Sequence, residues 1–282
     1  MSHPRVAVLT AAHRCHEQLI NHVGGLSLGT RAPDLHVVIA MSDQMVSRRR
    51  LPLGTDRWET VVRSIPTDPR RLPVAAARNL AAELAVERGA DVLVFLHCTY
   101  IPGRHLLELY TEAVTAAATN RPAVWFGDTA ELGPPPATGY RLDNLEDESV
   151  PRVDQPLLPP RHALPEPSPE HFRGASFAIS TEDFALTGGF HEDYLGMGGE
   201  DLDFARTVAA AGGSLTWLGG ATAYHQREEW VEPTRQHVDA LVRNANLYHE
   251  RWGDFPLIEP LQDLARRGLA RRDDSGRWQV AN

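Results

Sequence analysis

The chain of 282 residues predicts an α/β fold, a mostly parallel sheet with helices on both faces. Two observations carry this. Short β-rich apolar runs alternate with helical patterns through the first half, the order that leads to parallel strands joined by crossover helices. A composition of 42% hydrophobic and 23% charged residues is that of a globular chain, long enough for one large α/β domain or two small ones.

Taken in order, RVAVLTAAH from Arg5 reads as the first strand, followed by a helix from His16 to Val23. LHVVIAMSD from Leu35 is the second strand, Val74 to about Arg88 the second helix, and DVLVFLH, ending at His97, the third strand. Ligands of open α/β sheets bind beyond the carboxyl ends of the strands, so Ala11 to His13 and His97 are places to expect contacts. From about 133 to 170 the composition changes: PPP at 134 to 136, an acidic DNLEDE, and prolines at 151, 156, 159, 160, 165, 167 and 169 predict a long surface loop, either a passive insertion or a lid. HFRGASFAIS then reads as a strand, TEDFALTGGF as a helical turn capped by Thr181, and SLTWLGGATAYH as a strand ending at His225. Helical periodicity returns in HVDALVRNANLYHERW and IEPLQDLARRGLA, so the expected division is a main domain over residues 1–230 and a helical extension over 231–282 packed on it.

The net charge is −9 and every fixed cation is an arginine, with no lysine in the chain, so no basic stripe for nucleic acid is evident. This usage, with abundant Ala, Gly and Pro, fits a GC-rich bacterial genome. Cys15 and Cys98 are too few for a disulfide framework and suit a reducing compartment. No apolar run approaches the length of a membrane span and no signal segment is seen, which predicts a cytoplasmic protein.

The most informative stretch is GGFHEDYLGMGGEDLDFA, Gly188 to Ala205. It places Glu200, Asp201 and Asp203 after a glycine-rich turn and before a helix whose buried side is formed by Leu202, Phe204, Ala205, Val208 and Ala209. Glycines there permit positive φ and close approach of backbone to a ligand, and the acids stand at a helix N-terminus. A purely dipolar role for them is the plain reading; acids facing a glycine loop suggest chemistry.

This segment resembles the donor loop and catalytic-base motif of inverting GT-A glycosyltransferases, family 2 and the C-terminal galactosyltransferase-type domain, through Gly188, Gly189, Phe190, Glu192, Gly196, Gly198, Gly199, Glu200, Asp201 and Asp203. His191 and Met197 depart from the pattern, Met197 standing where an aromatic often follows the first loop glycine. The resemblance, from about Val6 to His225, implies a Rossmann-like GT-A domain, a nucleotide-sugar donor, UDP-linked, and an acceptor hydroxyl on a small molecule or glycan. It implies Asp201 as the base, Glu200 as the residue that orients sugar hydroxyls, and Asp203 as a structural acid. Gly198 and Gly199 would close over the donor, Gly174 would leave room for its sugar, and Arg78, Asn79, His13, Arg14 and Asp43 would lie near the nucleotide, Asp43 on uracil or ribose.

Where the family places Asp-x-Asp to hold Mn²⁺ or Mg²⁺, this chain has His97, Cys98 and Thr99. Hard cations favour carboxylate and phosphate oxygens, which this triplet lacks. Three readings stay open: transfer without the metal, with His97, His225 and arginines meeting the diphosphate; an unusual cation site built on His97 and His225; or a silent member that binds nucleotide or sugar. A nucleotidyltransferase is disfavoured, because AAHRCHEQ after the first strand is no phosphate-binding glycine loop.

Overall fold

The computed structural model describes residues 3–48, 50–117, 121–196, 198–227 and 234–281. Strand β1 (Val6–Ala12), helix α1 (His16–Leu28), β2 (Leu35–Met41), the short α2 (Gln44–Ser47), β3 (Glu59–Ile65), α3 (Val74–Val86) and β4 (Val92–Leu96) form the first half. β5 (Tyr100–Pro102), α4 (Leu106–Ala116), β6 (Ala123–Leu132), β7 (Ser149–Pro151) and β8 (Ala163–Glu166) follow. β9 (Ser176–Ser180), α5 (Thr181–Thr187), α6 (Glu200–Ala210) and β10 (Ser214–His225) complete the main domain. Beyond it come α7 (Arg235–Trp252), α8 (Ile258–Arg266) and a hairpin of β11 (Ala270–Arg272) and β12 (Trp278–Val280).

The main sheet runs β3-β2-β1-β4-β9-β6-β10-β5, with β7 on β6 and β8 on β10. β3, β2, β1 and β4 are mutually parallel, and β6 and β10 pair in parallel; β9 runs against both β4 and β6 and joins the two groups. β1, β2 and β4 are apolar over nearly their whole length because both faces are covered. On one face Leu9, Val37, Ile39, Leu93 and Phe95 meet α3 and a group of stacked aromatics that includes Phe177, Phe190 and Phe204. On the other, Val8, Val38 and Val94 meet Leu19, Val23 and Leu26 of α1 and Leu106 and Tyr110 of α4.

The α/β class and the helical extension stand as the sequence predicts, and the structure adds β3, α4 and β6, which the sequence reading did not pick out. β3 is the sheet edge; ETVVRSI is mostly half-buried or exposed, so its apolar signal is weak. The segment from 133 to 170 lies on the surface but is not all loop, since β7 and β8 add short antiparallel strands to the sheet. Thr181 is not the cap of α5. Ser180 is, its hydroxyl accepting from the Asp183 N–H at 3.0 Å, while Thr181 is the first helical residue and donates to the Ala90 carbonyl at 2.6 Å.

The expected domain boundary near residue 230 falls outside the described residues. α7 is started by a capping box in which Thr234 and His237 satisfy each other's backbone N–H groups, and stopped by Gly253 at φ 82°. Val238, Val242, Leu261, Leu264 and Trp278 give the extension a small core of its own.

Candidate active site

A cavity of about 460 Å³ opens where the carboxyl ends of β4 and β10 face the N-terminus of α6. His97, Thr99 and Tyr100 line it after β4, His225 at the end of β10, and Arg78 from α3. Gly196 and Gly198 contribute the glycine loop, Glu200 and Asp201 the first turn of α6, and Pro69, Arg70 and Leu72 the turn before α3. Gln236, His237 and Ala240 of α7 close the remaining side, so the C-terminal extension is part of the site.

Gly199, at φ 97°, turns the chain into α6 in a backbone conformation that L side chains rarely adopt, which places Glu200 and Asp201 at the helix start. The two neighbouring acids then meet different surroundings. Asp201 Oδ1 accepts from Arg78 Nη1 at 2.5 Å, and Arg78, itself buried, also donates to the Gly174 carbonyl at 3.1 Å and lies over the Phe190 ring. A Cβ on residue 174 would stand 2.0 Å from Asp201 Oδ1, so the room that Gly174 leaves is filled by the Asp201 carboxylate. Glu200 Oε2 is buried without a hydrogen-bond partner among the described residues. Burial, with the Asp201 carboxylate adding to it and Arg78 opposing, pushes the Glu200 carboxyl up to about 7.

Asp203 points away from the cavity. It is almost wholly buried and accepts from Arg251 Nε at 2.6 Å, Trp252 Nε1 at 2.8 Å and the Tyr194 hydroxyl at 3.2 Å. These contacts are the structural, arginine-bound role expected of it, and they tie α6 to the end of α7.

His97 Nδ1 stands 2.8 Å from Thr99 Oγ1 and accepts the Thr99 N–H at 3.3 Å. His97 is exposed on the cavity wall, and the protein packed around it, with the Arg78 guanidinium, shifts its imidazole below the ordinary value. His225 gives Nδ1–H to Glu131 Oε2 at 2.8 Å and packs on the Tyr100 ring with centroids 4.7 Å apart. With Nδ1 committed, Nε2 is its remaining polar atom.

Between His97 and Thr99, Cys98 is paired with Cys15, the cap position of α1, in a disulfide that joins the corner after β1 to the end of β4. From sequence the two are too few for a disulfide framework and suit a reducing compartment; 83 residues of separation hide the pairing, and their Cα atoms stand 6.5 Å apart. Cys98 is thus not an open ligand. The donors at this corner are imidazoles and a hydroxyl, and among the described residues no group of three or more His, Cys, Asp or Glu is placed to hold a metal ion. This donor set does not fit Mg²⁺ or Mn²⁺.

Other expected contacts lie elsewhere. His13, Arg14 and Asp43 share the corner beyond β1 and β2 and do not line the cavity. His13 Nδ1 bonds the Met41 carbonyl at 2.6 Å. Asp43 caps α2, and its two oxygens are met by the Arg14 N–H, His16 Nε2 and the Met45 and Val46 N–H groups. Burial alone would raise its carboxyl, but these donors outweigh it and hold it below its ordinary value. Asn79 brackets Phe190, donating to its carbonyl at 2.8 Å and accepting its N–H at 2.9 Å, so it latches the Gly188–Phe190 turn rather than reaching the cavity. Met197 lies outside the described residues. No residue from 133 to 170 lines the cavity.

Sequence reasoning missed the clamp on the glycine loop. Asn244 of α7, fully buried, donates to the Gly198 carbonyl at 2.7 Å and the Leu195 carbonyl at 3.2 Å, and Arg243 also donates to the Leu195 carbonyl. The Gly196 N–H donates to the Leu72 carbonyl at 2.8 Å. Nothing in a helical run such as LVRNANLYHE marks one asparagine as a loop clamp.

Residues 163–229 match the family described as N-terminal domain of galactosyltransferase. No curated protein matches the chain in sequence. Among solved structures, TarS of S. aureus (residues 1–349) superposes with a TM-score of 0.53 at 12% identity, over 86% of this chain and 64% of that one. GalNAc-T7 with UDP, GalNAc and Mn²⁺ superposes with a TM-score of 0.58 at 15% identity, over 93% of this chain and 57% of that one. The chain thus spans less than two thirds of either structure. At such identities the likeness shows the fold, a GT-A-like α/β architecture with a C-terminal helical region.

Proposed function

We propose that the chain is a glycosyltransferase that moves a sugar from a nucleotide-sugar donor, UDP-linked, to an acceptor hydroxyl with inversion. The observation that supports this most is the placement of Glu200 and Asp201 at the start of α6, behind a clamped glycine loop and across a cavity from the strand ends of a GT-A-like sheet. The structural relative that holds UDP and GalNAc, and the galactosyltransferase match that includes both acids, agree with it.

In this reading the acceptor oxygen attacks the anomeric carbon as the bond to the diphosphate oxygen breaks. The electron pair leaves with the diphosphate and the acceptor proton goes to Asp201, which Arg78 orients through Oδ1. Glu200, with its unpartnered Oε2, accepts a hydrogen bond from a sugar hydroxyl. No step is assigned to a metal ion, because the donor set at His97–Thr99 does not fit one.

A second reading, that Glu200 takes the proton, is favoured by the same free oxygen and by a carboxyl pushed up to about 7, near the working range of a general base. Release of nucleoside diphosphate from a panel of nucleotide sugars, with candidate acceptors and in EDTA, tests the proposal. Turnover that Asp201→Asn lowers by about 10²- to 10⁴-fold supports Asp201 as base. Turnover that survives in Asp201→Asn and is lost in Glu200→Gln moves the proton to Glu200. Binding of nucleotide sugar without turnover by the unaltered chain favours the silent, binding-only member.

A further inference from the structure

Resting on the nucleotide-sugar reading, we propose that Arg70 receives the donor's diphosphate, supplying with a guanidinium the positive charge that no carboxylate-held cation is built to supply here. A diphosphate brings negative charge into a cavity that already holds Glu200 and Asp201, and in a partly desolvated site that charge needs a cation close by.

Among the described residues that line the cavity, the permanent cations are Arg70 and Arg78. Arg78 is spent on Asp201 and the Gly174 carbonyl. His97 has its Nδ1 turned to the Thr99 hydroxyl and N–H, and His225 is turned to Glu131. Arg70 is different. Its backbone is fixed in the Asp68–Arg71 turn, its N–H donating to Asp68 Oδ1 at 3.0 Å, while its guanidinium has no hydrogen bond or ion pair among the described residues.

Two further features bear on the charge around Arg70. Burial, and after it the charge of Arg71, the next residue, lower the Arg243 guanidinium of α7 below its ordinary value, with Asp239 opposing. The 18-residue α7 presents its N-terminal residues Gln236 and His237 to the cavity, and that end of a helix favours anions. The turn is also joined to the glycine loop through the Leu72 carbonyl and the Gly196 N–H, so a diphosphate held by Arg70 would sit against that loop. As the sugar leaves, the planar fork of Arg70 would meet the charge that gathers on the departing oxygens.

The test is calorimetric titration of the full chain, in EDTA, with UDP, UMP and uridine, repeated for Arg70→Ala and Arg70→Lys and again with Mn²⁺. The expected result is that the unaltered chain binds UDP more tightly than UMP in EDTA. Arg70→Ala should weaken UDP by about ten- to a hundredfold with little change for UMP, as loss of a charge-assisted contact requires, and Arg70→Lys should fall between. UDP binding that Arg70→Ala leaves intact overturns the assignment while leaving the nucleotide-sugar reading standing. A UDP preference that appears only with Mn²⁺ overturns it in favour of a metal. An effect of Arg70→Ala confined to the acceptor KM overturns it by placing Arg70 on the acceptor. If the unaltered chain binds neither UDP nor other nucleoside diphosphates, with or without Mn²⁺, the donor reading falls and the Arg70 role with it.

Discussion

Glu200 and Asp201 are neighbours in the chain with opposite electrostatic settings, one with a buried, unpartnered Oε2 and pushed up to about 7, the other bound to Arg78 at 2.5 Å. For Glu200 the consequence for stability has a definite sign. Its folded value lies above the ordinary 4.5, so its contribution is fully present below about 4.5 and is lost as pH rises through about 7. Glu200→Gln should therefore raise the thermal midpoint by a few degrees at pH 8 and change it little near pH 4.5; equal midpoints at pH 8 would count against the buried, unpartnered Oε2. Gly174 offers a steric test. Its Cβ would meet Asp201 Oδ1 at 2.0 Å, so Gly174→Ala should cost about 1–3 kcal/mol by urea titration or displace Asp201, with loss of turnover either way. A variant of unchanged stability and activity would contradict the packing described for Arg78, Asp201 and Gly174.

At the scale of elements, α7 is where the main domain and its extension become one working unit. Through Asn244 it holds the Leu195 and Gly198 carbonyls, and through Arg251 and Trp252 it holds Asp203 of α6. Asn244→Ala removes a buried donor pair and leaves those carbonyls with fewer partners, a loss of about 1–3 kcal/mol. Because the carbonyls belong to the glycine loop, the donor KM should rise as well. A fall in stability with unchanged donor KM would show a packing role alone. The loop's glycines and acids were visible in sequence because they are contiguous; the clamp was not, because its partners lie some 46 to 49 residues away on a helix of ordinary composition.

At the scale of the whole molecule, two histidines are buried in the core and held neutral. His22 is held down to about 4, burial being the first cause, and His36, stacked on His22 in the core beneath Thr10, is held well below its ordinary value by burial and by His22. Groups with lowered folded values contribute stability that is present above the unfolded value of 6.5 and lost as pH falls toward 4. Glu200 acts in the opposite direction, but one proton against two leaves the net slope with the histidines. The urea midpoint should therefore drop between pH 6.5 and 5, above the range where ordinary carboxyls titrate; a flat profile there would argue against neutral burial. The sequence by itself determined the α/β class, the strand ends that border the cavity, the acids at the start of α6 and the lack of an Asp-x-Asp pair. Each of these is written in contiguous residues, as periodicity, a glycine turn or a missing acid. Only the tertiary structure decided that Cys15 meets Cys98, that Asn79 and Asp43 are turned to the protein's own backbone, and that Arg70 and α7 share the cavity with Glu200. Those relations depend on which distant segments the sheet brings together, and on burial that redistributes charge among groups no local pattern connects.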